Sequence, residues 1–240
     1  MFDFFHTLKN ILFLDIETAS AEKNYSDLSE RLRKAWNHKA SLIDPEADPA
    51  ALYFLKAGIY AEFGKIIAIS TGFFYLDENK KWSFKVKCFS SDSEPEILSG
   101  FIHLIEEKYL RKKLIFCAHN GKEFDYPYLC RRMLINGFDL PKPLSLTGKK
   151  PWEIIHLDTL ELWKFGDRKN YTSLDLLTAV FGIQSSKEEL DGSLVNEVYY
   201  NQNGLSKIAK YCCEDALATA QLYLKLHNKP LIPEENIVRI

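Results

Sequence analysis

Residues 11–17 read ILFLDIE. Ile11, Leu12, Phe13 and Leu14 form an unbroken apolar run, which suits a strand covered on both faces inside a sheet. Asp15 and Glu17 follow with only Ile16 between them, and Thr18 comes next. Side chains alternate across a strand with period two, so the two carboxylates project to the same side. Like charges a few ångströms apart at the end of a core strand repel, and both are costly to take out of water. This run demands a sheet whose inner strand ends where acids are compensated.

The rest of the chain is long enough to build that sheet. Its 240 residues, 46% hydrophobic and 27% charged, have ordinary globular composition and suffice for a large core. With 31 basic against 33 acidic residues the net charge is -2, so no overall basic footprint advertises nucleic acid. Charge is locally uneven: Lys108 to Lys169 holds thirteen Lys/Arg and seven Asp/Glu, an excess that by itself describes only a solvated surface. The five cysteines, Cys88, Cys117, Cys130, Cys212 and Cys213, fit neither a disulfide framework nor a zinc site by number or spacing. A reducing, cytoplasmic location is expected, with Cys88 and Cys117 in core strands. The opening MFDFFHTLKN carries an early acid and too short an apolar run for a signal peptide. No stretch nears the ~20 apolar residues of a membrane span, so a soluble chain with no membrane partner is expected.

Residues 20–62 turn polar. NYSDLSERLRKAWNHKASL has helical spacing, DPEADPA breaks it and ALYFLKAGIY suggests another helix, so a helical insertion in a strand connection is expected. GKIIAISTGFFYL and KWSFKVKCF read as a hairpin around DENK. SEPEILSGFIHLIEEKYL is an amphipathic helix with Ser93 at its N-cap. KLIFCAHN reads as a buried strand, DYPYLCRRMLINGF as a helix stopping near Gly137, and WEIIHLDTLEL as a strand. SLDLLTAVFGI reads as a helix ending at Gly182, GLSKIAKYCCEDALATAQLYLKLHN as a long helix, and 229–240 as an extended tail. Strands alternating with helices predict one three-layer α/β domain over 1–240, on a mixed sheet with an antiparallel member.

Ligands of α/β sheets gather at the carboxyl ends of strands. The first strand delivers Asp15 and Glu17 there, and KLIFCAHN runs into GKEFD, setting Asp125 at the start of the next helix. On the long helix Tyr211 and Asp215 are four apart and share a face. Ala216, Leu217, Ala220 and Leu224 turn Asp215 toward the sheet and leave Glu214 to solvent. Carboxylates meeting near one point require positive charge. Divalent cations supply it, and all-oxygen ligands favour Mg²⁺ or Mn²⁺ over zinc. Two such ions roughly 4 Å apart make the clamp used for in-line phosphoryl displacement.

FLDIET, AHNGKEFDYPYL and YCCEDALAT resemble, in order and spacing, the three exonuclease motifs of the DEDD superfamily, the proofreading-type 3'–5' exonucleases. HLDTLELWKF, YTSLDLLTAVFGI and DGSLV are similar to the stretch between its second and third motifs. Over roughly residues 10–226 the chain is similar to predicted 3'–5' exonucleases related to the proofreading domain of family-B DNA polymerases. The third motif resembles the tyrosine (DEDDy) branch, whose Tyr stands four before the last Asp, here Tyr211; Lys210 occupies the histidine branch's position. The resemblance implies a ribonuclease-H-like fold, a mixed five-stranded sheet flanked by helices. It also implies a metal-dependent exonuclease that acts on a single-stranded 3' end of DNA or RNA and releases 5'-mononucleotides.

By the same resemblance Asp15 bridges two metal ions, Glu17 and Asp215 complete the first ion's shell, and Asp125 holds the second through water. The first ion lowers the pKa of the attacking water, which Tyr211 orients, and the second stabilises the leaving 3' oxygen. Thr18, Asn120 and Phe124 are implied substrate contacts, Phe124 by stacking on a base. Lys122, Arg131, Arg132 and the basic positions of 164–169 are candidates to track the phosphate backbone, and the insertion to guide the strand. Asp158, at a strand end, leaves open both a capping role and a place behind the site. Two other functions stay open at this point: a non-catalytic module that binds 3' ends, and a phosphatase with Asp15 as covalent nucleophile. The latter usually wants Asp, not Glu, two positions on. With no polymerase segment in the chain, proofreading in cis is not expected.

Overall fold

The computed structural model describes residues 4–109, 114–167, 171–184 and 190–240. Strand β1 (Ile11–Ser20) pairs antiparallel with β2 (Gly64–Leu76), which pairs antiparallel with β3 (Trp82–Ser90). On its other side β1 runs parallel to β4 (Ile115–Ala118), and β4 to β5 (Leu157–Asp158). The β2–β3 hairpin closes at DENK as expected, with the Asp77 carboxylate accepting from the Asn79 and Lys81 amides. A sixth strand, β6 (Ile237–Arg239), comes from the tail and gives the order β5–β4–β1–β2–β3–β6. The expected sheet had five strands. The tail adds one because β3 otherwise presents an open edge of backbone donors and acceptors, which Ile237–Arg239 pairs in parallel register with Phe84–Val86.

Helix α1 (Phe4–Leu8) precedes β1, and α2 (Glu30–Ile43) and α3 (Pro49–Lys56) lie between β1 and β2. Helix α4 (Glu94–Tyr109) joins β3 to β4, and α5 (Asp125–Ile135) follows β4. After β5 come α6 (Thr159–Lys164), α7 (Leu174–Phe181), α8 (Val195–Gln202) and α9 (Leu205–Leu226). Alternation sorts β1 into two faces. Leu12, Leu14 and Ile16 pack with Leu98 and Phe101 of α4 and Tyr126 and Leu129 of α5. Ile11 and Phe13 pack with Ala216, Leu217 and Ala220 of α9. Each such buried side chain contributes about 1.5–3 kcal/mol, and a one-residue slip would exchange the two faces, so packing sets the register of β1.

The expected helical insertion is present and builds its own small core around the fully buried Trp36. Tyr53 and Phe63 meet that indole edge-on at 5.3 and 5.1 Å, and its N–H donates to the Pro49 carbonyl at 2.8 Å. Two expectations are corrected. Strand β1 does not end at its acids but runs ten residues to Ser20. WEIIHLDTLEL is a strand only at Leu157–Asp158, because the Asp158 carboxylate accepts from the Leu160 and Glu161 amides and starts α6 there. Among the described residues no helix is long and apolar enough to cross a membrane.

Candidate active site

The odd-numbered face of β1 is apolar at Ile11 and Phe13, acidic at Asp15 and Glu17, and apolar again at Ala19. Helix α9 carries a matching interruption. Tyr211 and Cys212 belong to one apolar cluster, Ala216 and Leu217 to the next, and Asp215 falls between. The two gaps meet: one carboxylate oxygen from each of Asp15, Glu17 and Asp215 lies within 4.8 Å of the other two. The Cys212 thiol donates to the Asp15 backbone carbonyl at 3.4 Å, tying helix to strand at that level.

Asp125 arrives from the other side. Pairing of β4 with β1 ends at Cys117 opposite Phe13, which leaves the later backbone of β1 open along that edge. Asp125 is the first residue of α5, with Phe124 at the cap position. Its carboxylate takes backbone hydrogen bonds from Ile16 and from its own amide.

These groups make one another hard to ionise. Burial, then the charges of Asp215, Glu17 and Asp125, pushes the Asp15 carboxyl well above its ordinary range. Glu17, only 8% exposed, is raised likewise by burial and then by Asp215 and Asp125. Asp125, 4% exposed, is pushed up to about 7, chiefly by burial. Asp15 Oδ2 is buried with no hydrogen-bond partner among the described residues. An orphaned carboxylate oxygen amid further acids costs stability in the bare protein and is a ready donor for a hard cation. The donors are all carboxylate oxygens, a set that fits Mg²⁺ or Mn²⁺.

Tyr211 is buried, and its hydroxyl donates to the Asp215 carboxylate. Burial and then the charges of Asp215, Glu17 and Asp15 raise its pKa, so the phenol keeps its proton. The DGSLV loop lies against it: a Cβ on Gly192 would stand 3.8 Å from the Tyr211 hydroxyl.

The other expected residues divide. Asn120 and Phe124 both precede Asp125 in the β4–α5 turn, the Phe124 ring 5.3 Å from that of Tyr128. Thr18 hydrogen-bonds Tyr128 of α5, which packs on the Leu12–Leu14–Ile16 face of β1, so the Thr18 side chain is turned away from the three-carboxylate cluster. Arg132 does not track phosphate. It is 8% exposed, and its Nε donates to Glu94 at 2.8 Å while Nη1 donates to the Ala61 carbonyl at 2.8 Å. Lys122 pairs with Glu161 at 2.6 Å, whereas Arg131 is exposed. Arg168 and Lys169 lie outside the described residues. Glu214 is not simply solvated: Arg239 of β6 grips it with two bonds of 2.6 and 3.0 Å. A thiol cluster went unanticipated, in which hydrogen bonds from Cys212 and Cys213 hold the Cys88 thiol down at about 5. Its signal in the sequence was the vicinal pair on the helix face next to Tyr211.

A mixed sheet with helices on both faces, and with acids on its inner strand, defines a ribonuclease-H-like fold. The same fold occurs in the family B DNA polymerase from the hyperthermophilic archaeon Pyrobaculum calidifontis. The match has a TM-score of 0.51 and 16% identity, over 90% of this chain and 24% of that one. Residues 58–230 match the family described as predicted 3'–5' exonucleases related to the exonuclease domain of PolB, and the chain belongs to that family. The matched span contains Asp125, Tyr211 and Asp215, while Asp15 and Glu17 precede it. DNA polymerase 1 of Pyrococcus abyssi is 30% identical over 184 residues, covering 67% of this chain and 22% of the polymerase. The DNA polymerase of Pyrococcus glycovorans is 31% identical over 144 residues, covering 54% and 18%. The chain thus spans about a fifth of the length of these relatives.

Proposed function

We propose that this chain is a metal-dependent 3'–5' exonuclease of the tyrosine branch. It hydrolyses the terminal phosphodiester of a single-stranded nucleic acid, DNA or RNA, and releases 5'-mononucleotides. The observation that carries this is the carboxylate cluster, with Asp15, Glu17 and Asp215 oxygens within 4.8 Å and an orphaned Asp15 Oδ2, in a member of an exonuclease family. Asp15, Glu17 and Asp215 would hold one divalent ion, and Asp15 with Asp125 a second. When bound, such ions supply an activated water and stabilise charge on the leaving 3' oxygen.

The side chains do the rest. Asp125 must shed the proton that burial favours before it can act as a ligand, so cation affinity weakens as pH falls below about 7. Tyr211 keeps its proton and donates a hydrogen bond to the Asp215 carboxylate, so its oxygen orients the water by accepting a hydrogen bond from it rather than by deprotonating it. The apolar clusters on both sides of the acids lower the local dielectric, which strengthens each charge interaction. Asn120 and Phe124 contact the last nucleotides, and exposed Arg131 meets the phosphate backbone.

The test is a panel of 5'-labelled DNA and RNA, single- and double-stranded, incubated with Mg²⁺, Mn²⁺ or chelator. A ladder shortening from the 3' end with either cation, and none with chelator, is expected. Tight 3'-end binding without cleavage under both cations would favour a binding module instead, and a phosphoenzyme trapped by acid quench a phosphatase.

A further inference from the structure

Asp158 is 3% exposed and closes β5, where a helix cap needs one or two bonds to the first turn. It accepts four. Oδ1 takes the Leu160 amide at 2.9 Å and the Glu161 amide at 3.4 Å, which begin α6, and also the Asn120 amide at 2.9 Å. Oδ2 takes the Lys122 amide at 3.0 Å. Asn120 and Lys122 belong to the turn between β4 and α5, about forty residues away in the chain.

That turn is held, not relaxed. Asn120 sits at φ 62°, in the left-handed region that non-glycine residues enter at a cost. Next to it the chain approaches so closely that a Cβ on Gly121 would lie 2.5 Å from the Ala118 Cβ. The same corner grips it elsewhere. The Tyr126 hydroxyl donates to the Leu157 carbonyl at 2.6 Å, and His119 Nδ1 lies 2.9 Å from Thr159 Oγ1. The turn closes with the Phe124 amide on the Asn120 carbonyl at 3.0 Å and runs directly into Asp125.

We propose that Asp158 is a positioning residue of this site: by clamping the Asn120 and Lys122 amides it fixes the turn that sets Asp125 against the carboxylate cluster. The inference rests on the exonuclease reading of that cluster. A carboxylate suits the task because both of its oxygens only accept, and all four facing groups are donors.

Two substitutions in the full chain separate clamp from cap. Asp158→Ser keeps a good helix cap but has one oxygen on a short arm, too little to hold the turn as well. Asp158→Asn keeps one accepting oxygen and turns an N–H₂ donor toward the other amides. Mn²⁺ binding by titration calorimetry needs no turnover, and Asp125→Asn is the reference. Both Asp158 variants should melt cooperatively, weaken the weaker Mn²⁺ site about ten- to hundred-fold as Asp125→Asn does, and spare the tighter site. Adding Asp158→Asn to Asp125→Asn should weaken Mn²⁺ no further, and kcat should fall with little change in KM. Wild-type Mn²⁺ affinity in Asp158→Ser would overturn the clamp and leave an ordinary helix cap, and so would a double variant in which the two losses simply add. Wild-type protein that binds two Mn²⁺ but cuts nothing would overturn the exonuclease reading, while the same titration would still support the clamp.

Discussion

Without cations the carboxylate site should oppose folding, so removing an acid should stabilise the bare chain, and by more as pH rises. Asp125 shows this best. Its pKa moves from 3.8 to about 7 on burial. Between those values the folded chain keeps a proton that the unfolded chain has lost, so the stability this group contributes is full below about pH 4 and is lost as pH rises through about 7. At about 1.36 kcal/mol per unit, and with the folded group half ionised at about pH 7, the loss from about pH 5 to about pH 7 is about 2 kcal/mol. Asp15 and Glu17 are raised too and act in the same direction. His119 and His156 act in the opposite one. Burial lowers both, His156 to about 4, so their contribution is present above about 6.5 and is lost as pH falls. The wild-type slope alone would mix the two effects, but comparison with Asp125→Asn cancels the histidines. In chelator, thermal unfolding followed by circular dichroism should show the variant gaining about 4 °C on wild type from about pH 5 to about pH 7, at about 2 °C per kcal/mol. In saturating Mn²⁺ the order should reverse, because the ion binds only the ionised, folded site. A gap between the two proteins that stays constant with pH in chelator would refute the reasoning.

Three further outcomes are expected. Asp15→Asn should remove detectable cleavage in the labelled-oligonucleotide assay and weaken Mn²⁺ binding in calorimetry, since the orphaned Oδ2 becomes part of a neutral amide. Tyr211→Phe should bind Mn²⁺ like wild type and cut about a hundred-fold more slowly. Its pH–rate profile should keep any alkaline limb of the wild type; a limb lost with the hydroxyl would make Tyr211 a base. Arg132→Ala leaves the Glu94 carboxylate buried without its cation, held by the Ile66 amide and Asn136, so urea unfolding should show a loss of about 3 kcal/mol, while the salt dependence of nucleic-acid affinity stays unchanged.

What was legible in the sequence is what periodicity controls. Period two put Asp15 and Glu17 on one face of β1, and four-residue spacing put Tyr211 above Asp215, before any partner was known. Local chemistry also told: Gly182, at φ 64°, ends α7 as expected. Periodicity does not say what stands opposite. The Glu214–Arg239 pair spans twenty-five residues and the Arg132–Glu94 pair thirty-eight, so neither leaves a local trace. Arg132 did carry a usable hint. It falls on the buried stripe of α5 with Tyr128, Leu129 and Met133, a place where a guanidinium must find a partner inside the protein. Strand-like residues around Leu157 misled for a related reason: pattern measures side-chain burial, while the capping carboxylate of Asp158 decides the backbone.

The position of the acids follows from the stability they forfeit. A cluster that is repulsive when bare, and whose geometry must be exact to ligate an ion, needs rigid elements with surplus packing on either side. β1 is the inner strand of the sheet and α9 is a twenty-two-residue helix. Each has apolar contacts before and after its acidic gap, so repulsion there cannot peel either element away. Asp125 has less behind it, since α5 meets the cluster only with its first residue, at the end of a strained turn. Of the four carboxylates it most needs outside support, and Asp158 ties two amides of that turn, Asn120 and Lys122, to the start of α6. Two local rules broken at this site, a pair of acids in a core strand and a left-handed Asn120, are both accounted for by one arrangement of charge.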